Sequence, residues 1–367
     1  MKHLIKTAAA CALLAGPALA QSPIYGSWPP ASDYLNETTL PEAFATISEE
    51  TGIDWELIAG GQLADGRGTL AAIGDNLMQG GLAIPVYTPN DMPSLALLYS
   101  TVVPGDDPVA VAGAAIQTVF QDCPECLEQA RDTNVLPLGG FASAAYRLMC
   151  TEPVADMADM KGLRIRAAGG YSEMAAAANA SPMSVTLTEA VSLLQRGGLD
   201  CLMAAREWLL TYGYGEYARY VTDLPLGVSA PALGFAMNRD TFLALSAEEQ
   251  AAHLRASAYI TARHTIGNYV ERDQQSFERV QEEFGVELVE AGPELTALVE
   301  TFAETDRDRL IASGKELGVS DPAALLDAYM ANVERWREIS AEVGTDVDAF
   351  ADAIWREVFA DLDPSTL

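Results

Sequence analysis

The stretch ADMKGLRIRAAGGYSEMAAAA, residues 158–178, governs how this sequence is read. In a chain with 52 acidic and 22 basic residues it places Lys161, Arg164 and Arg166 within six positions. Leu163 and Ile165 alternate with the two arginines, which is the period of a β-strand, so one face is apolar and the other carries both guanidinium groups. Gly169-Gly170 then gives way to an alanine-rich run with the composition of a helix. Strand, glycine turn and helix form the unit of parallel α/β sheets, and Arg166 falls near the carboxyl end of its strand, where such sheets bind ligands. The glycine pair lets the following helix bring free backbone amides close, and an arginine there offers a planar fork matched to a carboxylate. Spacing alone leaves a surface ion pair as the other reading of either arginine.

The same grammar recurs around it. IDWELIAGGQLADG, residues 53–66, reads as a short strand ending in Gly60-Gly61, followed by a helical run, GTLAAIGDNLMQ, that stops at Gly80-Gly81 before LAIPVY. In TLTEAVSLLQR, residues 186–196, Thr186 and Glu189 have capping-box spacing, and Leu187, Ala190, Val191 and Leu194 make one apolar helix face. Gly197 then ends that helix before the strand LDCLMA. Both regions thus predict strand-helix-strand units of parallel sheets. Residues 246–285 contain no proline and one internal glycine, Gly267, which predicts one long helix or two joined by a kink. The tail continues as amphipathic helix that packs on the outside. The length exceeds what one core serves, so we expect a two-lobed α/β protein: residues 21–145 in lobe I, 146–230 in lobe II, and 231–367 returning to lobe I and packing helices on both.

The first twenty residues have Lys2 and Lys6, an apolar run, and Ala18-Leu19-Ala20, the pattern of a secretory signal peptide cleaved after Ala20. A lipoprotein cut before Cys11 would leave almost no apolar core. Cleavage leaves 20 basic against 52 acidic residues, a surface that repels nucleic acid and anionic lipid, and whose plain alternative meaning is a salty habitat. Four cysteines remain, Cys123, Cys126, Cys150 and Cys201, an even count that in an exported chain reads as two disulfides with three connectivities. Proximity favours Cys123 with Cys126, which leaves Cys150 with Cys201. A redox centre at DCPECLEQ is the sharper alternative, since a helix start stabilises a thiolate.

Enzyme signals are thin. There is no G-x-S-x-G elbow, Walker loop, HExxH or dinucleotide fingerprint. His253 and His264, the two histidines after cleavage, lie eleven apart on one helix face, ~16 Å along the axis, too far to share a metal. No catalytic residues, cofactor or metal are expected, and binding is the role left standing.

PVADMADMKGLRIRAAGG followed by ANASPMSVTLTEAVSLLQRGGLDCL resembles the signature of the DctP-type solute-binding proteins of TRAP transporters. GGQLADGRGTLAAIGDNLMQGGLAIPVYTPNDMP and GFAMNRDTFLALSAEEQ extend the likeness over essentially the whole chain after the leader. The resemblance implies the periplasmic binding protein fold, with a ligand cleft between the lobes and a long helix from Ala247 spanning both. It implies that Arg166, last in KGLRIR, binds a substrate carboxylate, and that Arg147 assists. One departure is informative: Leu202-Met203-Ala204 stand where sialic-acid-type members carry a ligand-binding asparagine, which disfavours that kind of sugar acid. Trp208, Tyr212 and Trp28 are candidates for an aromatic wall. The expectation is a monomeric periplasmic protein that captures a small organic anion and delivers it to a TRAP permease. The ligand class stays open among dicarboxylates, hydroxy and keto acids, aromatic acids and sulfonates. An ABC-importer binding protein and an exported thiol redox protein using Cys123 and Cys126 are the alternatives.

Overall fold

Two mixed β-sheets share this chain, and its repeated passage between them creates a cleft. The computed structural model describes residues 22–367, so the leader read at residues 1–20 lies outside the described residues. The strands are β1 (Ile24–Gly26), β2 (Glu56–Ile58), β3 (Gly80–Ala83), β4 (Val135–Phe141), β5 (Arg147–Cys150), β6 (Arg164–Arg166), β7 (Ser181–Met183), β8 (Cys201–Ala204), β9 (Tyr220–Thr222), β10 (Ala232–Asn238) and β11 (Glu287–Val289). The first sheet runs β2-β1-β3-β10-β4 and the second β11-β9-β5-β8-β6-β7. The chain leaves the first sheet after Phe141, joins the second at Arg147, and returns between Thr222 and Ala232. It crosses once more to place β11 beside β9, a three-residue strand too short to leave a periodic trace in sequence.

The expected strand-helix-strand units do form parallel pairs, β1 with β2 and β3, and β6 with β7 and β8. The sheets as a whole are mixed, because β5 and β10, the strands that follow the first two crossings, insert antiparallel to their neighbours. The helix read through GTLAAIGDNLMQ is shorter than expected: it spans Thr69–Gly74, and Gly80 and Gly81 belong to β3. Asn76, in the left-handed conformation (φ 59°), turns the chain there. Gly80 serves packing, since a Cβ on it would stand 2.9 Å from the Trp55 ring. The capping box is formed as its sequence spells it, with Thr186 Oγ1 accepting from the Glu189 amide and the Glu189 carboxylate accepting from the Thr186 amide. Gly197 (φ 65°) follows the helix Leu187–Gln195.

The stretch after Ser246 is helical throughout: an α-helix over Ala247–Ile266, a single π turn over Gly267–Glu271, and an α-helix over Arg272–Phe284. Gly267 opens the irregular turn and makes room for Tyr34, since a Cβ there would lie 2.3 Å from the Tyr34 hydroxyl. In a regular α-helix, residues five apart sit about 140° apart around the axis. The wider i to i+5 turn brings such residues toward one face. His264, just before the turn, and Tyr269, within it, have that spacing. The tail helices Pro322–Val343 and Val347–Ile354 cover the first lobe, with the fully buried Trp336 ring filling the space left by Gly113 and donating from Nε1 to Gln117 Oε1 at 2.7 Å.

Both disulfides are formed as read, Cys123 with Cys126 and Cys150 with Cys201. The first is buried at the start of the helix Pro124–Thr133, closed to reagents rather than poised for exchange. The second joins directly paired residues of β5 and β8. Chain-entropy arguments scale the stabilisation with loop length, giving ~4 kcal/mol for a loop of about fifty residues and ~2 kcal/mol for the three-residue separation. Urea unfolding of Cys150→Ala/Cys201→Ala and Cys123→Ala/Cys126→Ala proteins is therefore expected to show the larger loss for the Cys150–Cys201 pair.

Candidate functional site

The carboxyl ends of the parallel strands β1, β3 and β6 converge on one partly open cleft between the lobes, where about 490 Å³ of non-atom space includes open solvent. Trp28 follows β1, Tyr87 follows β3, and Arg166 ends β6. Phe141, Ser143 and Tyr146 come from the first crossing, Ser229 and Ala232 from the second, His264 from the last turn before the π turn and Tyr269 from within it. Sheet ends, crossings and helix bulge thus supply the walls, which is the place where open α/β sheets leave room for a ligand.

Four of the five residues singled out in sequence line this cavity: Arg166, Trp28, Trp208 and Tyr212. Trp28 is fixed by an Nε1 donation to the Leu82 carbonyl at 2.9 Å, and Trp208 by one to the Tyr269 hydroxyl at 3.3 Å. Arg147 is not among the lining residues. Its guanidinium points into a neighbouring cleft, donating to the Ala145 carbonyl at 2.9 Å and pairing with Asp106 at 3.2 Å, while its Nε is buried without a partner. The Gly169-Gly170 pair also plays another part than expected. It does not line the cavity; Gly169 (φ 57°) and Gly170 let the helix Gly170–Ala177 press on Ser100 of the first lobe, where a Cβ on Gly170 would sit 2.3 Å from the Ser100 carbonyl oxygen.

Arg166 and Arg164 part company despite sharing a strand face. Arg164 is exposed and makes a two-pronged pair with Asp200, Nε to Oδ2 at 2.9 Å and Nη2 to Oδ1 at 2.6 Å. Arg166 is only 2% exposed. It donates from Nε to the Val185 carbonyl at 3.1 Å, from Nη1 to the Met203 carbonyl at 3.4 Å, and from Nη2 to the Tyr87 hydroxyl at 3.3 Å. These bonds use three of five guanidinium protons and leave one on each terminal nitrogen. Among the described residues Arg166 has no carboxylate within ion-pair distance. Burial opposes its charge, the phenols of Tyr87, Tyr146, Tyr214 and Tyr99 favour it, and the net direction is upward, so the guanidinium stays cationic.

Sequence reasoning missed the acids on the other side. Asp33 lines the cavity at 5% exposure, with Oδ1 accepting from the Leu35 amide at 2.9 Å. Burial pushes its carboxyl up to about 6, against the pull of that amide and of Arg272. Behind it, Glu207 is fully buried; Thr211 bonds Oε1, and Oε2 has no partner. Burial, with Asp33 adding to it, raises Glu207 to about 8. His264 is pushed down to about 3 by burial and by Arg272, and is neutral. A lone Asp after Pro29-Pro30 and a Glu before a tryptophan carry no spacing signal; only the fold gathers them.

The two lobes touch directly around this site. Arg67 reaches across with Nη1 on the Tyr87 carbonyl at 3.1 Å and Nη2 on the Ser184 carbonyl at 3.0 Å, and the Arg166–Tyr87 bond is a second bridge. Among the described residues no group of three or more metal-ligating side chains is present, and no helix is long and apolar enough to cross a membrane.

Comparison with known proteins agrees with this architecture. Residues 50–311 match the DctP family, described as "Bacterial extracellular solute-binding protein, family 7". A TRAP periplasmic solute-binding protein from Bordetella bronchiseptica with bound (R)- and (S)-mandelate superposes with a TM-score of 0.71 at 22% identity, covering 86% of this chain and 99% of that one. A marine metagenome TRAP solute-binding protein specific for aromatic acid ligands, in complex with metahydroxyphenylacetate, gives 0.74 at 17% identity over 86% and 99% of the two chains. A TRAP solute-binding protein from Rhodoferax ferrireducens with copurified benzoate gives 0.73 at 15% identity over 88% and 100%. At these identities the likeness establishes a shared fold.

The buried acids make the stability of the protein depend on pH. A folded-state carboxyl with a raised pKa holds its proton more tightly than the unfolded chain does, so stability is lost as pH rises toward the folded value. The contribution of Asp33 ends near pH 6, and that of Glu207 continues to about pH 8. The lowered histidines His253 and His264 act oppositely, but only below the ordinary histidine range of about 6.5. Between about pH 6.5 and 8 the buried pair of Asp33 and Glu207, with Glu207 the group raised further, therefore carries the pH dependence of these four groups, on the order of 2 kcal/mol. Denaturation at a series of pH values is expected to show wild-type stability falling across that window and Glu207→Gln removing the fall.

Proposed function

The chain belongs to the DctP family of bacterial extracellular solute-binding proteins, the TRAP transport type, which are not enzymes, and we propose that it captures a small organic carboxylate on Arg166. The observation that carries this reading is a guanidinium buried to 2% exposure, facing a cavity, with one free proton on each terminal nitrogen and no carboxylate partner. An unpaired buried charge is expensive, and a ligand carboxylate accepting both free protons offsets that cost in the geometry that arginine favours. Trp28, Trp208 and Tyr212 then supply apolar walls for the body of the ligand, and Arg147, held by Asp106, supports the crossing segment beside the site. The acids named for the related structures are consistent with this ligand class.

Delivery follows from closure. A 2% exposed arginine cannot receive a solute unless the Arg67–Ser184 and Arg166–Tyr87 bridges break, so the lobes part to load and close to exclude water around the ion pair. The closed form is the one a TRAP membrane permease would distinguish from the empty one, and the protein would meet it as a monomer in the periplasm, after loss of the leader. A small-angle scattering titration with a carboxylate found by thermal-shift screening is expected to lower the radius of gyration on saturation. An unchanged radius alongside proven binding would instead mean a preformed pocket.

With the same ligand in calorimetric titration, Arg166→Ala is expected to cost ~3 to 5 kcal/mol, a loss of ~100-fold to several thousand-fold. Arg166→Lys should recover only part, since an ammonium lacks the planar fork. Arg164→Ala, which removes an exposed pair with Asp200, is the mild control. Near-native binding by a folded Arg166→Ala protein would rule out the assignment.

A further inference from the structure

The carboxylate-binding reading accounts for one end of the cavity and leaves the other unexplained. Asp33 is 5% exposed and lines the same space, and among the described residues its carboxylate has one hydrogen-bonding partner, the Leu35 amide on Oδ1. None of the ion pairs among the described residues includes it. Arg272, the cation that acts on it, has its guanidinium over the Tyr34 ring, 5.5 Å from the centroid. Both residues line the cavity, yet among the described residues Asp33 and Arg166 form no ion pair with each other. One cavity thus holds two buried charges of opposite sign, each without an ion-pair partner. Had they evolved to neutralise each other, they would touch.

The walls differ between the two ends. Around Arg166 stand the phenols of Tyr87, Tyr99 and Tyr146, whose hydroxyls accept from a cation or hand protons to an anion. Around Asp33 stand Tyr212 and Tyr269, both within its electrostatic reach, each meeting the Trp208 ring edge to face at 6.3 Å. Aromatic faces beside a buried carboxylate make a cage for a cation, through the negative face of each ring and the full charge of the acid. Glu207, protonated and uncharged behind Asp33, keeps the negative charge of this end on one residue.

We propose that the ligand is a zwitterion, a small carboxylate that also bears an ammonium or quaternary nitrogen, with its carboxylate on Arg166 and its cation in the box of Asp33, Trp208, Tyr212 and Tyr269. This rests on the carboxylate reading of Arg166 and narrows it from organic acids in general to those of no net charge. Such a ligand neutralises both buried charges at once. A plain monoanion of the same shape satisfies Arg166 and leaves Asp33 facing an apolar group. The same arrangement makes Asp33 a selectivity residue against the simple aromatic acids.

Matched pairs of probes test it, each pair alike in shape and differing in the cationic nitrogen: piperidine-2-carboxylate against cyclohexanecarboxylate, and N-methylpyridinium-3-carboxylate against 3-methylbenzoate. Calorimetric titration of the wild-type protein at neutral pH is expected to favour the zwitterion by about tenfold or more in at least one pair. Preference in the first pair alone points to an N–H donated to Asp33, and in the second to a quaternary cation against the rings; either supports the proposal. In Asp33→Asn, of similar shape but uncharged, the ratio should fall toward one. The wild-type ratios stand by themselves if that variant does not fold. Equal or tighter binding of the monoanion in both pairs, binding of neither zwitterion, or a preference unchanged in folded Asp33→Asn would overturn the zwitterion. Failure of the underlying carboxylate reading has a different sign: Arg166→Ala would leave the affinity of every carboxylate intact.

Discussion

A buried guanidinium with no counter-ion among the described residues is the constraint around which this molecule is arranged. Placing a charge in a cavity bounded by aromatic rings costs several kcal/mol unless something answers it. Arg166 is answered in part by two backbone carbonyls and one phenol, all neutral, which hold the side chain in place without discharging it. The remaining free energy is available to an anion from outside. Its partner on the same strand, Arg164, shows the contrast: it has its carboxylate already, in Asp200, and so has nothing left to offer a ligand.

The larger features of the fold build the walls of that cavity. The chain passes between the sheets repeatedly, so the crossings themselves become walls, and any opening of the lobes takes those walls apart. Contacts across the lobes include a polar one at Arg67 with Ser184, a backbone bridge between Val103 and Val228, and a close approach without side chains where Gly170 meets Ser100. The long helix contributes rigidity along most of its length and an irregular π turn where it passes the cavity, which brings His264 and Tyr269 to the site together.

The strongly acidic composition acts on a different scale from the site. With 52 acidic residues against 22 basic, the surface holds the protein apart from other polyanions and, by simple electrostatics, does not draw an anionic solute toward it. In the proposed function, capture depends on short-range contacts inside the cavity rather than on steering. The buried acids Asp33 and Glu207 belong to that local chemistry, since the protein sets their protonation by burial and not by its net charge.

What the sequence by itself determined was whatever is written at short range. The alternation of KGLRIR made a strand, Thr186 and Glu189 capped a helix, the proline-free run after Ser246 made the long helix, and the cysteine count allowed the disulfides that form. Arg166, Trp28, Trp208 and Tyr212 were read as candidates because the KGLRIR resemblance and the neighbouring aromatics pointed to them, and the fold places all four on the lining of one cavity. Arg147 was drawn from the same resemblance, yet its guanidinium faces a neighbouring cleft, because local carbonyls and Asp106 direct it there. Only the tertiary structure decided that β5 and β10 enter antiparallel, that Gly80 packs under Trp55 instead of ending a helix, and that Gly169-Gly170 joins the lobes instead of holding a ligand. It alone brought Asp33 into the cavity of an arginine more than a hundred positions away. Strand period and helix capping are properties of neighbours along the chain, whereas the pairing of charges across a cleft depends on how distant segments fold together.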